Sequence, residues 1–260
     1  MSIGIAIITC KRPNQLKNLL ESLYSFDRLN SEVTIFDDAS NDGTEVISKK
    51  YANSIIQKIN QGVIINKNAA LYYFSEVRPK DYIILLEDDV LITESSWINT
   101  WVDAAEIYGH MNFTPHWFLQ HHMNAHICGD GSVWSPDVFS VLTGQCTSIK
   151  TEVMKNSIGF LNPRFKGYGY GHVEWTNRFL EKGYGGFIVD EIKYYYSMRS
   201  GVQSLDVESK KTNDQQLNAN ANIYNKLLSL EHSQLVNEPW VTEADRKSFL
   251  EPFNSISYKI

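Results

Sequence analysis

Three acidic residues in a row, Glu87-Asp88-Asp89, close the apolar run from Tyr82 to Leu86. Adjacent carboxylates at the end of a buried strand repel one another, and they stay ionised at a cost unless a cation lies among them. Carboxylate oxygens suit Mg2+ or Mn2+, hard ions that keep open positions for diphosphate oxygens. Taken alone, the triplet reads equally well as a solvated acidic turn. A second acidic end, Asp37-Asp38, closes the run from Val33 to Phe36 and leads into Ala39-Ser40-Asn41-Asp42-Gly43-Thr44. A carboxylate there can accept from a base N–H or a ribose hydroxyl, and Gly43 permits the turn into the next segment. An N-capped turn, with Asp42 or Ser40 as cap, accounts for Ser40 to Thr44 but hardly for both aspartates.

The elements around these acids alternate. Ile3 to Thr9 is a continuous β-branched run, suited to a strand covered on both faces, and Pro13-Asn14 opens a segment with Leu16, Leu19, Leu20 and Leu23 at helical spacing. Strand and helix then repeat: Val33 to Phe36, a helix from Thr44, a short strand at 54–58, a turn at Asn60-Gln61-Gly62, a helix over 66–74 and the strand from Tyr82. Such alternation predicts an α/β fold with a mostly parallel central sheet flanked by helices. Ligands in such sheets lie beyond the carboxyl ends of the strands, where Thr9, Asp37-Asp38 and Glu87-Asp88-Asp89 all fall.

After residue 93, Trp97, Ile98, Trp101, Val102 and Ala105 make a helical stripe. Residues 116–120 read as extended, 121–140 as a long loop, and 141–200 as strand, helix and Gly-rich turns, with Tyr194-Tyr195-Tyr196 as a buried strand. From about Asp206 the chain is rich in Asn, Gln, Lys and Ser, with a weak helical pattern at 223–230. The division expected is a domain over 1–205, made of a nucleotide-binding half (1–93) and an acceptor half (94–205), followed by a helical or irregular surface appendage over 206–260.

With 24 Lys plus Arg against 30 Asp plus Glu and a net charge of -6, the 260 residues have no chain-wide electrostatic reason to bind nucleic acid. The three cysteines are far apart and form no Cys-x-x-Cys pair, which favours a reducing, cytoplasmic compartment. The opening apolar run is too short to span a bilayer.

Together these residues resemble family 2 glycosyltransferases of the GT-A fold. The likeness rests on Ile7-Ile8-Thr9 followed by Lys11-Arg12, on Asp37 to Thr44, on Asn60-Gln61-Gly62 with Asn68-Ala69-Ala70, and on the acidic triplet. It continues through Thr143 to Ile149, Gly159 to Phe165 and Gly169 to Phe179, so that it covers roughly residues 3–190. The resemblance implies that Thr9 and Asp38 contact the nucleobase with Asp37 close by, and that Arg12 and Asn68 belong to the nucleotide side. It also implies that Asp89 is the metal ligand for Mn2+ or Mg2+, with Asp88 or Glu87 supporting ribose or the metal's waters. A UDP-linked donor and a glycan or glycolipid acceptor are implied too, with peripheral association at the inner membrane face left open.

One place departs from the family. Where Glu-Asp commonly begins the second-half helix, this chain has Gly171-His172, with Glu174 retained just after. An inverting transfer needs a base within reach of the acceptor hydroxyl, and neutral His is competent, its reference pKa lying near 6.5. His172 is the leading base, with Glu174 second or as an acceptor-orienting group; helix capping and metal ligation by His172 stay open. Trp134, Tyr168, Tyr170 and Trp175 could stack on sugar rings, although aromatic residues fill cores more often than sites. His121, His122 and His126 lack the His-x-x-x-His helix with Glu that a metalloprotease needs, and read as part of an acceptor-binding or lid loop. A retaining transferase, a nucleotidyltransferase and a catalytically silent carbohydrate-binding domain are the competing readings. The absence of glycine between Thr9 and Asn14 counts against the nucleotidyltransferase.

Overall fold

The computed structural model describes residues 1–26, 31–205, 213–229 and 235–255. Strand β1 (Ile3–Thr9) is buried along its whole length. It lies between β2 (Glu32–Asp37) and β4 (Tyr82–Glu87), parallel to both, and β2 carries β3 (Asn53–Ile56) on its outer side. The register sets Thr9 opposite Asp37 and Ile8 opposite Glu87, so the carboxyl ends of the three central strands are level. That alignment brings the acidic segments to one rim.

Side chains of β1 alternate between two cores, as a period of two requires. Ile5 and Ile7 face a layer holding Leu16, Leu19, Leu20 and Leu23 of α1 (Pro13–Tyr24) and the buried Trp97 and Trp101 of α4 (Trp97–Tyr108). Ala6 and Ile8 face a layer formed by α3 (Val63–Tyr72) and α7 (Gly171–Glu181), including Ala69, Phe74, Trp175 and Phe179. Each buried leucine on α1 contributes roughly 1.5–3 kcal/mol, which is what holds that helix to the sheet. Gly4 belongs to the second layer by necessity: a Cβ there would come within 2.6 Å of the Phe74 ring.

The second half joins the same sheet through β9 (Cys146–Lys150), which is antiparallel to β4 and to β6 (His110–Phe113). Beyond β6 lie β11 (Ile192–Met198), β8 (Asp137–Phe139) and β7 (His126–Cys128), with β10 (Gly186–Val189) paired to β11. The sheet is therefore parallel where the acids end their strands and mixed beyond. A separate pair, β5 (Val90–Ile92) with β12 (Val202–Ser204), follows the acidic triplet. Remaining helices are α2 (Thr44–Tyr51), α5 (His116–His121), the single turn α6 (Thr151–Val153), α8 (Asp214–Leu228) and α9 (Glu243–Leu250).

Three expectations change. Residues 116–121 are helical, not extended, and the stretch expected as a loop over 121–140 contains β7, β8 and a 3-10 turn at Met123–Ala125. The C-terminal segment, expected as a helical or irregular surface appendage, is helical and anchored to the domain at a few side chains: Phe249 is buried, its ring 5.6 Å from that of Tyr72 on α3. Asn220 of α8, fully buried, donates to the carbonyls of Lys166, Tyr168 and Gly169 and accepts from Lys166 N. It thus pins the loop that leads into α7. Residues 206–212 and Leu230 fall outside the described residues. Among the described residues no helix is long and apolar enough to cross a membrane.

Candidate active site

At the level strand ends the side chains form one connected series. Asp38 N donates to the carbonyl of Thr9 at 3.1 Å, Thr9 Oγ1 donates to Asp88 Oδ2 at 2.7 Å, and Arg12 Nη1 reaches Asp88 Oδ1 at 3.1 Å and Asp89 Oδ2 at 3.0 Å. Gln145 Nε2 donates to Asp89 Oδ1 at 3.1 Å. The Asp88 carboxyl is pushed up to about 6, chiefly by burial and further by the Asp89 charge, against the opposing pull of Thr9 and Arg12. Two acids thus share one cation supplied by the chain. Glu87 does not join the pair: Lys67 Nζ, itself buried, lies 2.6 Å from Glu87 Oε1 and 2.8 Å from the carbonyl of Gly144.

Asp38 has a local partner for each oxygen, accepting from Gln61 N at 2.7 Å and Gly62 N at 2.8 Å ahead of α3. Asp37 sits deeper. Its Oδ1 accepts from Ser40 N at 3.2 Å and from the Ser40 hydroxyl, whereas Oδ2 is buried without a partner among the described residues, and burial raises the pKa of the carboxyl. The loops around them hold non-glycine residues in the left-handed region, Lys11 (φ 54°), Ala39 (φ 55°) and Asn41 (φ 52°), and Lys11 N donates to Ser40 Oγ at 2.8 Å to join the two. Such backbone costs about 1 kcal/mol or more per residue and clusters where loops are shaped around ligands.

His172 approaches this rim from α7. A Cβ at residue 144 would lie 3.1 Å from the His172 ring and 3.1 Å from Lys67 Nζ, so the bare Gly144 is what lets these two side chains close in. The next residue is Gln145, which holds Asp89. The His172 tautomer follows from its partner. Asn112 Nδ2 donates to the carbonyl of Tyr196 at 3.4 Å, which turns Asn112 Oδ1 toward His172 Nε2 at 2.9 Å. A carbonyl oxygen only accepts, so Nε2 carries the proton and Nδ1 is the bare lone pair. Nδ1 is shielded and has no partner among the described residues. Burial, then the Lys67 charge, then His110, hold the imidazole well below its ordinary pKa and therefore neutral.

Several residues expected here are elsewhere. Positions 172 and 174 point about 200° apart around a helix. Glu174 accordingly faces away, both oxygens taken by Arg178 at 2.9 and 3.1 Å, while Arg178 also donates to the carbonyls of Phe160 (2.6 Å) and Ile158. It lines a cavity of about 290 Å³ between α7 and the C-terminal segment, with Tyr224 and Trp240 among its walls. Asn68 is buried and spans Leu161 with two bonds of 2.9 Å, so it fastens α3 to that segment and is not exposed to a nucleotide. Trp175 is a core residue, fully buried, its indole N–H on the carbonyl of Gly159. The Tyr170 ring packs on Tyr224 of α8 at 5.2 Å, and Trp134 stands 82% exposed. His126 pairs with Asp137 at 3.0 Å. Sequence reading missed Lys67, Asn112 and Gln145. Lys67 alone had a signal, a lysine within the apolar residues of a helix, which is rarely buried unless paired.

Carboxylate pairs completed by substrate phosphate oxygens are how Mg2+ is commonly held, and Asp88 with Asp89 fits that chemistry. Among the described residues no group of three or more His, Cys, Asp or Glu could hold a metal without such help.

Residues 4–126 match the model of the family described as glycosyl transferase family 2. Solved structures of similar fold include the mannosyltransferase PcManGT from Pyrobaculum calidifontis in complex with GDP-Man and Mn2+. It is 15% identical, with a TM-score of 0.54, over 79% of this chain and 55% of that one. TarS 1-349 from S. aureus in complex with UDP-GlcNAc is 15% identical, with a TM-score of 0.57, over 98% of this chain and 72% of that one. Glucosyl-3-phosphoglycerate synthase from Mycobacterium tuberculosis, in complex with Mn2+, UDP and glucosyl-3-phosphoglycerate, is 13% identical, with a TM-score of 0.54, over 88% and 79%. This chain therefore spans little more than half the length of the mannosyltransferase. No curated protein matches the sequence. The fold is the GT-A fold of these transferases, and the likeness to glycosyl transferase family 2 covers residues 4–126.

Proposed function

We propose, from the match of residues 4–126 to glycosyl transferase family 2 and from the site geometry, that the chain moves a sugar from a nucleotide-diphosphate donor to a hydroxyl of a glycan or glycolipid acceptor, with inversion at the anomeric carbon. The observation that carries this reading is the unbroken series Asp38, Thr9, Asp88, Arg12 and Asp89 across the ends of adjacent strands, with the His172 ring packed against Gly144, the neighbour of the Gln145 that holds Asp89. The nucleobase is assigned to Asp38 and Thr9 with Asp37 behind them, and the ribose and diphosphate to Asp88 and Arg12. Asp89 with Asp88 would hold Mn2+ or Mg2+, which when bound offsets the charge that builds on the leaving diphosphate. UDP is the preferred nucleotide, supported by the UDP complexes of two of the similar proteins, although the third holds GDP-Man.

His172 would take the acceptor proton at Nδ1 while Asn112 keeps the ring oriented through Nε2. A neutral imidazole is already in its proton-accepting form at pH 7, and one displacement needs no protein nucleophile. Glu87, held by Lys67, is assigned a place in the rim's charge balance and none on the ion. Incubation with UDP- and GDP-sugars plus Mn2+, followed by NMR of the released or transferred sugar, tests the reading. Turnover of a nucleotide sugar with an inverted anomeric centre is expected; a retained centre would contradict the His172 assignment, and no turnover of any donor would contradict transfer.

A further inference from the structure

Arg12 already stands where a cation is needed. A single guanidinium nitrogen touches one oxygen of Asp88 and one of Asp89, at 3.1 and 3.0 Å, and the other two oxygens accept from Thr9 and Gln145. All four oxygens that could hold a divalent ion are therefore engaged, two of them by a positive charge. We propose that Arg12 is a built-in competitor for the metal: guanidinium and ion occupy the acidic pair by turns, and Arg12 lets go when a donor diphosphate arrives to receive it. This rests on the donor-site reading above.

Charge makes the two occupants exclusive. An ion on the same oxygens would lie a few ångströms from a like charge at a rim where Asp88 is buried and screening is weak. Diphosphate removes the conflict, because two of its oxygens can accept parallel N–H donors from the planar guanidinium, as a carboxylate's can. Arg12 is also free to change partners. It belongs to the loop between β1 and α1, its side chain is 21% exposed, and it follows a residue in the left-handed region. Arg178, by contrast, is 2% exposed and spends its donors on Glu174 and two backbone carbonyls. Metal and nucleotide should then bind with positive coupling, each raising the other's affinity by one common factor.

The test is titration of Mn2+ into the intact chain by calorimetry, without nucleotide and with saturating UDP, for wild type, Arg12→Gln and Arg12→Lys, with thermal melts to confirm folding. Without nucleotide, Arg12→Gln should bind Mn2+ at least about tenfold more tightly than wild type, and the factor by which UDP improves Mn2+ binding should fall by a similar amount. Arg12→Lys, which keeps the charge but not the planar fork, should lie between. A folded Arg12→Gln protein that binds Mn2+ no more tightly than wild type overturns the proposal. So does a wild-type structure with Mn2+ and UDP bound in which Arg12 still bridges both aspartates, an outcome that needs no variant. If no nucleotide binds wild type, the donor reading fails, while the comparison in Mn2+ alone still decides the role of Arg12.

Discussion

Two clusters of arginine and carboxylate lie at different depths in this molecule, and only one of them is unfinished. On α7, Glu174 and Arg178 balance one charge against one, and the guanidinium is completed by the carbonyls of Ile158 and Phe160. At the strand ends, Arg12 serves two acids, so the cluster keeps a net negative charge, and it remains partly open to solvent. A closed, neutral pair holds a fold together. An anionic, partly open one is arranged to take up another cation. The contrast separates Glu174 from Asp88 and Asp89 more sharply than residue type or position could.

The comparison can be sharpened by removing the group that belongs to neither cluster. His172→Gln should lower kcat by roughly 10²- to 10⁴-fold while leaving both arginine clusters and nucleotide affinity intact, measured as donor turnover and calorimetric binding side by side. The wild-type acid limb of kcat should lie below the ordinary histidine range, because burial and Lys67 hold His172 low. Activity is then full above that limb and is lost as pH falls through it. A limb at or above 6.5, or one that persists in the variant, would remove His172 as the base.

Glu174→Gln should behave in the opposite way. Breaking one side of a buried pair strands Arg178 and should cost about 3–5 kcal/mol of unfolding free energy by urea titration, with kcat per folded molecule unchanged. Loss of kcat at unchanged stability would return Glu174 to the list of bases and erase the distinction drawn between the clusters.

The smallest effect concerns a titration outside both. His110 is fully buried, stacked on Phe179 at 4.2 Å, and burial holds it down to about 3. The folded protein therefore binds fewer protons than the unfolded chain between pH 6.5 and 3. Stability should fall as pH drops through that window, by up to about 1.4 kcal/mol per pH unit for one such group. Asp88, held up at about 6, acts in the opposite direction between the ordinary carboxylate range and 6. His110→Gln should flatten the slope of unfolding free energy between pH 6.5 and 5, and an unchanged slope would mean that His110 titrates normally.

How much of this was legible depends on where each residue's partners come from. Thr9, Asp37, Asp38, Asp88 and Asp89 end apolar runs, and parallel strands in register carry their ends to one rim, so spacing alone brought them together. The demand of the acidic triplet for a cation was also readable, but not that Arg12 and Lys67 would meet it within the chain. Asn68 and Trp175 misled because their roles are fixed by carbonyls of Leu161 and Gly159, contacts that motif order does not encode. The His172 environment draws on α3, β6, the residue 144 turn and α7, four segments whose meeting is a property of packing. Residues 116–120 read as extended, yet Phe118 packs as a helical residue with its ring 5.3 Å from Phe139 on β8. The C-terminal burial of Phe249 lay in a segment too polar to suggest it.

The most direct test of a shared cation and diphosphate pocket at the strand ends is calorimetric titration of UDP and GDP into wild type and Asp89→Asn, with and without Mn2+. The expected result is a nucleotide affinity that Mn2+ raises in wild type and leaves unchanged in Asp89→Asn, the variant remaining as stable as wild type. Nucleotide binding that ignores both Mn2+ and Asp89, or no binding of either nucleotide, would contradict the account.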